Sequence, residues 1–107
     1  MGFCSIAAAK GATKADSITG EVVDITCYAA HQEKGEKHAS CAQKCLASGS
    51  PAGLISDGKL WIVVMKDHSP PSPKLAAFAG KLVTAEGSRL TVDGANIFEI
   101  DSFAAAK

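Results

Sequence analysis

The hairpin that decides the fold class reads Leu54-Ile-Ser, Asp57-Gly58, Lys59-Leu-Trp-Ile-Val-Val-Met65. An Asp-Gly pair between two β-prone runs is typical of a two-residue hairpin turn. The second run is apolar on both faces, because Trp61, Val63 and Met65 alternate with other large apolar residues. A strand apolar on both faces indicates a central position in a sheet. The sequence therefore predicts a core built mainly from β-strands.

Further strands and helices are predicted on both sides of this hairpin. Residues 18–28 form a first strand rich in Thr, Val and Ile, with Cys27 on the same face as Val23 and Ile25. A helix is predicted over residues 36–48 and a second, short one over Lys74–Ala79. A strand is predicted at residues 81–86, followed by a turn at Gly87-Ser88, after which residues 89–92 either pair back or continue the strand. The last strand is predicted at residues 96–101, after a turn at Asp93-Gly94.

The order of these elements is typical of a small five-stranded OB-like barrel. In this prediction a Cys-bearing helix is inserted after the first strand, and the short helix lies between the third and fourth strands. The domain covers residues 18–103 with its helical insertion at 36–48. Residues 1–17 are predicted to be a flexible N-terminal segment, and residues 104–107 a tail.

Composition excludes several functional classes. The formal net charge is zero and only 6% of residues are aromatic, which argues against a nucleic-acid partner. No apolar run approaches the roughly 20 residues of a membrane span. At 107 residues and 47% hydrophobic content, the chain can build one core without needing disulfides. A zero net charge leaves a protein partner or self-assembly through a sheet edge open.

Three of the four cysteines and two of the three histidines lie between Cys27 and Cys45. On the predicted helix, His38, Cys41 and Cys45 stand at i, i+3 and i+7 and share one face. If the strand that carries Cys27 ends beneath this helix, a third thiol joins the row. Three thiolates and one imidazole suit tetrahedral zinc, and soft thiolates also suit cuprous copper. We therefore expect a copper or zinc ion at Cys27, His38, Cys41 and Cys45, with His31 as a further ligand candidate.

Other interpretations of the same cysteines stay open. Cys27 could form a disulfide with Cys41 or Cys45 in a thiol-redox module that binds a protein partner or self-assembles, or the thiols could be inert core residues. The sequence has none of the catalytic motifs that would indicate an enzyme, so no enzymatic activity is predicted. Metal storage, delivery or structural stabilisation is the expected role.

The N-terminus contains Ala7-Ala-Ala9, which fits the Ala-x-Ala of a signal-peptidase site, but no charged region precedes it. It is either the remnant of a signal peptide or an ordinary chain end. Cys4 lies in this stretch, is not assigned to the metal site, and could link two chains.

The pattern Cys27-Tyr, His31, Gly35-Glu-Lys-His38 and Cys41-Ala-Gln-Lys-Cys45 resembles that of a group of small bacterial envelope proteins. The resemblance covers about residues 18–103. It implies an OB-like domain and a periplasmic or otherwise extracytoplasmic location. It also implies a shared polar set formed by the two histidines and three cysteines of this pattern.

Overall fold

The structure is a computed structural model that describes residues 16–106. The expectations for the N-terminal signal remnant and for Cys4 lie outside these residues. The described elements are β1 (Asp16–Asp24), α1 (Ile25–His31), α2 (Ala39–Ala47), β2 (Ala52–Ser56), β3 (Lys59–Met65), α3 (Pro71–Leu75), β4 (Leu82–Val92) and β5 (Ala95–Ala105), with 3-10 turns at Glu36–His38 and Ala76–Phe78. The prediction of a mainly β chain with five strands in one sheet is confirmed.

Each strand of the sheet is hydrogen-bonded to two neighbours. β1 pairs antiparallel with β2 and with β4, and β2 forms the predicted hairpin with β3. β3 pairs parallel with β5, and β5 pairs antiparallel with β4. The strand order β1-β2-β3-β5-β4 therefore returns to β1, and the sheet closes on itself.

The core fills the inside of this closed sheet and extends to the helices. Val22, Leu54 and Phe98 are fully buried on three different strands. Leu46 of α2 and Leu75 of α3 belong to the same apolar cluster. Because both helices bury a leucine in the cluster, each helix is packed directly against the sheet.

The first predicted strand is wrong beyond Asp24. Residues 25–28 were expected to continue the strand, but they begin α1, which runs from Ile25 to His31. The reason is helix capping: the side chain of Asp24 accepts a hydrogen bond from the Thr26 backbone N–H at 3.1 Å. This bond outweighs the β propensity of the Ile-Thr pair.

The predicted helix 36–48 is a 3-10 turn followed by the shorter α2.

The predicted turn at Gly87-Ser88 is also wrong, and residues 89–92 continue the strand, which was one of the two alternatives. β4 runs through both residues with a bulge between Glu86 and Gly87. A Cβ atom at Gly87 would lie 1.8 Å from the Glu99 carbonyl oxygen, so the glycine is needed for the close approach of β5. β5 itself continues to Ala105, so residues 104–105, which were assigned to the tail, pair with β4.

The short helix starts three residues earlier than predicted. α3 begins at Pro71 and ends at Leu75, and a 3-10 turn over Ala76–Phe78 completes it. Proline is favoured at the first helical position, which explains the early start.

No helix within residues 16–106 is both long enough and apolar enough to cross a bilayer.

Leu46→Ala should lower the free energy of unfolding by about 2–5 kcal/mol, because Leu46 is fully buried where α2 meets the core. Leu82→Ala is the matched control, since Leu82 is 55% exposed and the same atoms are removed. We expect it to cost less than about 1 kcal/mol. Urea denaturation of both variants measures the difference, and equal losses would mean that Leu46 does not anchor α2.

Candidate metal centre

Cys27 owes its position to the start of α1. Asp24 is the N-cap, so Cys27 is the third residue of the helix, and the side chains at these two positions lie close together. The Ile25 N–H donates to the Pro51 carbonyl at 2.9 Å, which ties the start of α1 to the segment that leads into β2. Gln32, in the left-handed conformation, ends the helix.

Cys41 and Cys45 lie four residues apart on α2, one turn above the other. The C-terminus of α2 is fixed by a hydrogen bond from the Ser50 N–H to the Cys45 carbonyl at 3.0 Å, with Gly49 in a positive-φ conformation between them. Because the neighbouring Leu46 is fully buried, Cys45 is held at the surface of the core.

The three thiols of Cys27, Cys41 and Cys45 converge. Their sulfur atoms all lie within 4.8 Å of one another. Four-coordinate zinc with Zn–S bonds of about 2.3 Å requires sulfur–sulfur separations of about 3.8 Å, so small side-chain adjustments suffice to hold an ion. All three are free cysteines, and the cysteines that the structure describes form no disulfide. Cys27 and Cys45 are half-buried, whereas Cys41 is exposed.

Asp24 is the residue of this site that sequence reasoning missed. Its side chain is almost fully buried, at 2% exposure. One oxygen, Oδ1, accepts from Thr26; the other, Oδ2, is buried without a hydrogen-bond partner of normal geometry among residues 16–106. An Asp immediately before a helical run is a recognisable N-cap signal. The strand prediction hid it by assigning Asp24 to the face opposite Cys27.

The Asp24 carboxylate acts on two of the thiols. Hydrogen bonding to this carboxylate, followed by burial, raises the pKa of Cys27 from 9.0 to about 12. Burial, followed by hydrogen bonding to Asp24, raises the pKa of Cys45. A thiol is a weak donor and does not replace a full hydrogen bond to Oδ2. Both thiols are therefore protonated at neutral pH, which makes them poor nucleophiles.

The predicted histidine ligands, like Asp24, are not part of the group of donors that lie within 4.8 Å of one another. His38 does not continue the row of Cys41 and Cys45, because it lies in the 3-10 turn with non-helical backbone angles (φ −109°, ψ 6°). Its Nδ1 atom is 3.6 Å from Oε1 of Glu33. His31 is exposed at the last position of α1. Both residues remain predicted ligands that the structure does not bring to the thiols.

A small cavity of about 10 Å³ lies beside the thiol cluster. Cys27, Cys41 and Asp24 line it together with His38. Gly35 also lines the cavity, and its N–H donates to Oε2 of Glu21 on β1. The cavity lies between β1, the loop before α2, and α2 itself, and is about the size of one water molecule.

Comparison of the chain with protein-family models, with curated proteins and with solved structures finds no match. The resemblance to bacterial envelope proteins therefore stays a prediction.

The raised pKa of Cys27 predicts a loss of stability at alkaline pH in the metal-free protein. The unfolded chain ionises this thiol near pH 9 and the folded chain near pH 12, so the stabilisation is complete below pH 9 and is lost as the pH rises towards 12. Urea denaturation at pH 8 and pH 10.5, with reductant and chelator, measures this. Cys27→Ser is the control and should lose less stability over the same interval. An equal loss in both proteins would contradict the assignment.

Proposed function

We propose that this chain is a non-enzymatic metal-binding protein that holds a thiophilic ion of the copper or zinc class at Cys27, Cys41 and Cys45. The observation that carries the proposal is the convergence of three free thiols from two helices within 4.8 Å. Thiolate sulfur is the preferred ligand of zinc and cuprous copper. Storage, delivery or structural stabilisation are the roles that such a site serves.

The surroundings of the thiols support metal binding over thiol redox chemistry. A redox or nucleophilic cysteine needs a lowered pKa, whereas the pKa values of Cys27 and Cys45 are both raised. The negative charge of Asp24 opposes thiolate formation, but it favours the entry of a cation. The alternative function, a disulfide-stapled or thiol-redox module that binds a protein partner, rests on the same closeness of the sulfur atoms.

We propose that the scaffold is an OB-like barrel. Three observations support this: the closed strand order β1-β2-β3-β5-β4, the parallel pairing of β3 with β5, and the position of α3 between β3 and β4. The cysteine helices then form the connection between the first two strands, a region that OB-folds use for binding. The predicted envelope location rests on the sequence resemblance alone.

Native mass spectrometry of protein purified without chelator or reductant should show one metal ion per chain that is lost in acid. Cys27→Ser, Cys41→Ser and Cys45→Ser should each lower metal affinity by at least about 10-fold, because each leaves the ion under-coordinated. Cys4→Ser, the same change at a cysteine not assigned to the site, is the control and should leave affinity unchanged.

Two results would contradict this proposal. One is a Cys41→Ser protein that binds zinc and cuprous ions as tightly as the parent. The other is a purified chain that is metal-free and two hydrogens lighter than its sequence mass, which would favour the disulfide alternative.

Metal binding at pH 7 should release at least two protons per ion. The raised pKa values of Cys27 and Cys45 mean that both thiols carry protons before the ion binds, and thiols bind metal as thiolates. Titration of zinc into weakly buffered protein with a pH indicator measures the release. One proton or none would show that these two thiols are not both ligands.

A further inference from the structure

We propose that Asp24 supplies the fourth donor of the metal centre through Oδ2, which makes it a three-sulfur, one-oxygen site for a divalent ion of the zinc class. This inference rests on the proposed function, because it completes the coordination of an ion held by Cys27, Cys41 and Cys45.

The first support is the unusual state of the Asp24 carboxylate. Oδ1 is occupied by the Thr26 N–H, which fixes the side chain at the start of α1. Oδ2 is buried without a normal hydrogen-bond partner among the described residues. Buried carboxylate oxygens are normally paired, because their removal from water is unfavourable. A metal ion at the thiols would supply the missing partner.

The second support is the arrangement of the donors. Asp24 is at 2% exposure and interacts with the two half-buried thiols, Cys27 and Cys45, whereas Cys41 is the exposed member of the cluster. Asp24 is thus the most buried of the four residues and Cys41 the most exposed. Asp24 lies outside the group of donors within 4.8 Å of one another, so its side chain has to move closer to an ion held by the three sulfur atoms.

The third support is the charge of the occupied site. When the thiols lose their protons, three thiolates and one carboxylate carry four negative charges. A cuprous ion leaves three of these charges unbalanced, and a divalent ion leaves two. A buried carboxylate beside three thiolates is strongly repelled unless it is bound to the cation itself. Coordination by Asp24 therefore favours a divalent, oxygen-tolerant ion over copper(I).

His38 is the competing fourth donor. Its ring lines the same small cavity as Cys27 and Cys41, but its Nδ1 faces the carboxylate of Glu33. Its side chain is 40% exposed, so water satisfies the rest of the ring and no buried atom is left unpaired. Neither residue is among the donors within 4.8 Å of one another, and the buried oxygen without a partner favours Asp24 over His38 for the fourth position.

The test compares Asp24→Asn with His38→Asn in the full chain. Asparagine is as good an N-cap as aspartate, so α1 should form in both variants. Zinc affinity is measured by competition with a chromophoric chelator, cobalt(II) absorption reports the geometry, and cuprous affinity is measured in parallel. We expect Asp24→Asn to weaken zinc binding by about 10- to 100-fold, to alter the cobalt(II) d–d bands, and to leave cuprous affinity within about 3-fold. His38→Asn should leave the zinc affinity, the cobalt(II) bands and the cuprous affinity unchanged.

The outcomes separate this inference from the proposed function. Unchanged zinc affinity in Asp24→Asn, with loss in the Cys→Ser variants, overturns the role of Asp24 and leaves the thiol site intact. Loss of zinc in His38→Asn instead overturns it in favour of the imidazole. A parent protein that binds cuprous ion but not zinc also overturns it, whereas one that binds neither refutes the thiol site itself. If Asp24→Asn is unfolded by circular dichroism, Asp24→Ser, which also caps helices, decides in its place.

Discussion

The hydrogen bond from the Thr26 N–H to Oδ1 of Asp24 is the interaction on which the site depends. It turns the chain from β1 into α1 at a single residue, because an N-cap satisfies a helical N–H that a strand would have left for a neighbouring strand. The turn places the Cys27 thiol at the end of the closed sheet rather than along its side. It also leaves the second carboxylate oxygen buried without a hydrogen-bond partner among residues 16–106. One local bond therefore sets the position of a proposed ligand and of the charge beside it.

The closed sheet explains why the thiols are held close without a disulfide. Every strand has two partners, so the segment between β1 and β2 starts and ends on fixed backbone. Within that segment, the buried Leu46 fixes α2, and the Schellman-type bond to the Cys45 carbonyl ends it. Gly80 completes the arrangement: a Cβ atom there would lie 2.9 Å from the Gly35 carbonyl, so only glycine lets the loop before α2 approach this closely. The thiols are preorganised by packing, which lowers the ordering cost of binding an ion.

Local turn chemistry and composition made part of this structure predictable. The Asp57-Gly58 and Asp93-Gly94 turns have positive φ at both residues, a conformation that few other pairs adopt, so both hairpins could be identified from sequence. The cysteine cluster was predictable because Cys41 and Cys45 share a helix face wherever that helix begins. Tertiary contacts decided the rest. Gly87 suits a turn but is required by the nearby β5 backbone, and the β propensity of residues 25–28 gave way to a cap whose partner is only two residues away. Nothing in the spacing of His38 showed that its turn would be non-helical.

The balance of charge at the cluster is the strongest reason to interpret these cysteines as ligands rather than as inert core. An inert buried thiol prefers apolar neighbours, and Cys41 is exposed. A buried carboxylate with an unpaired oxygen destabilises the folded chain. The Asp24 carboxylate also raises the pKa values of the Cys27 and Cys45 thiols and so opposes their ionisation. Stability alone would favour a neutral cap such as Ser or Asn at this position. The aspartate is unfavourable in the metal-free protein, and the proposed cation would reverse this, because the same negative charge would attract the ion. An unpaired buried charge of this kind is expected where a site is built for a ligand rather than for the fold.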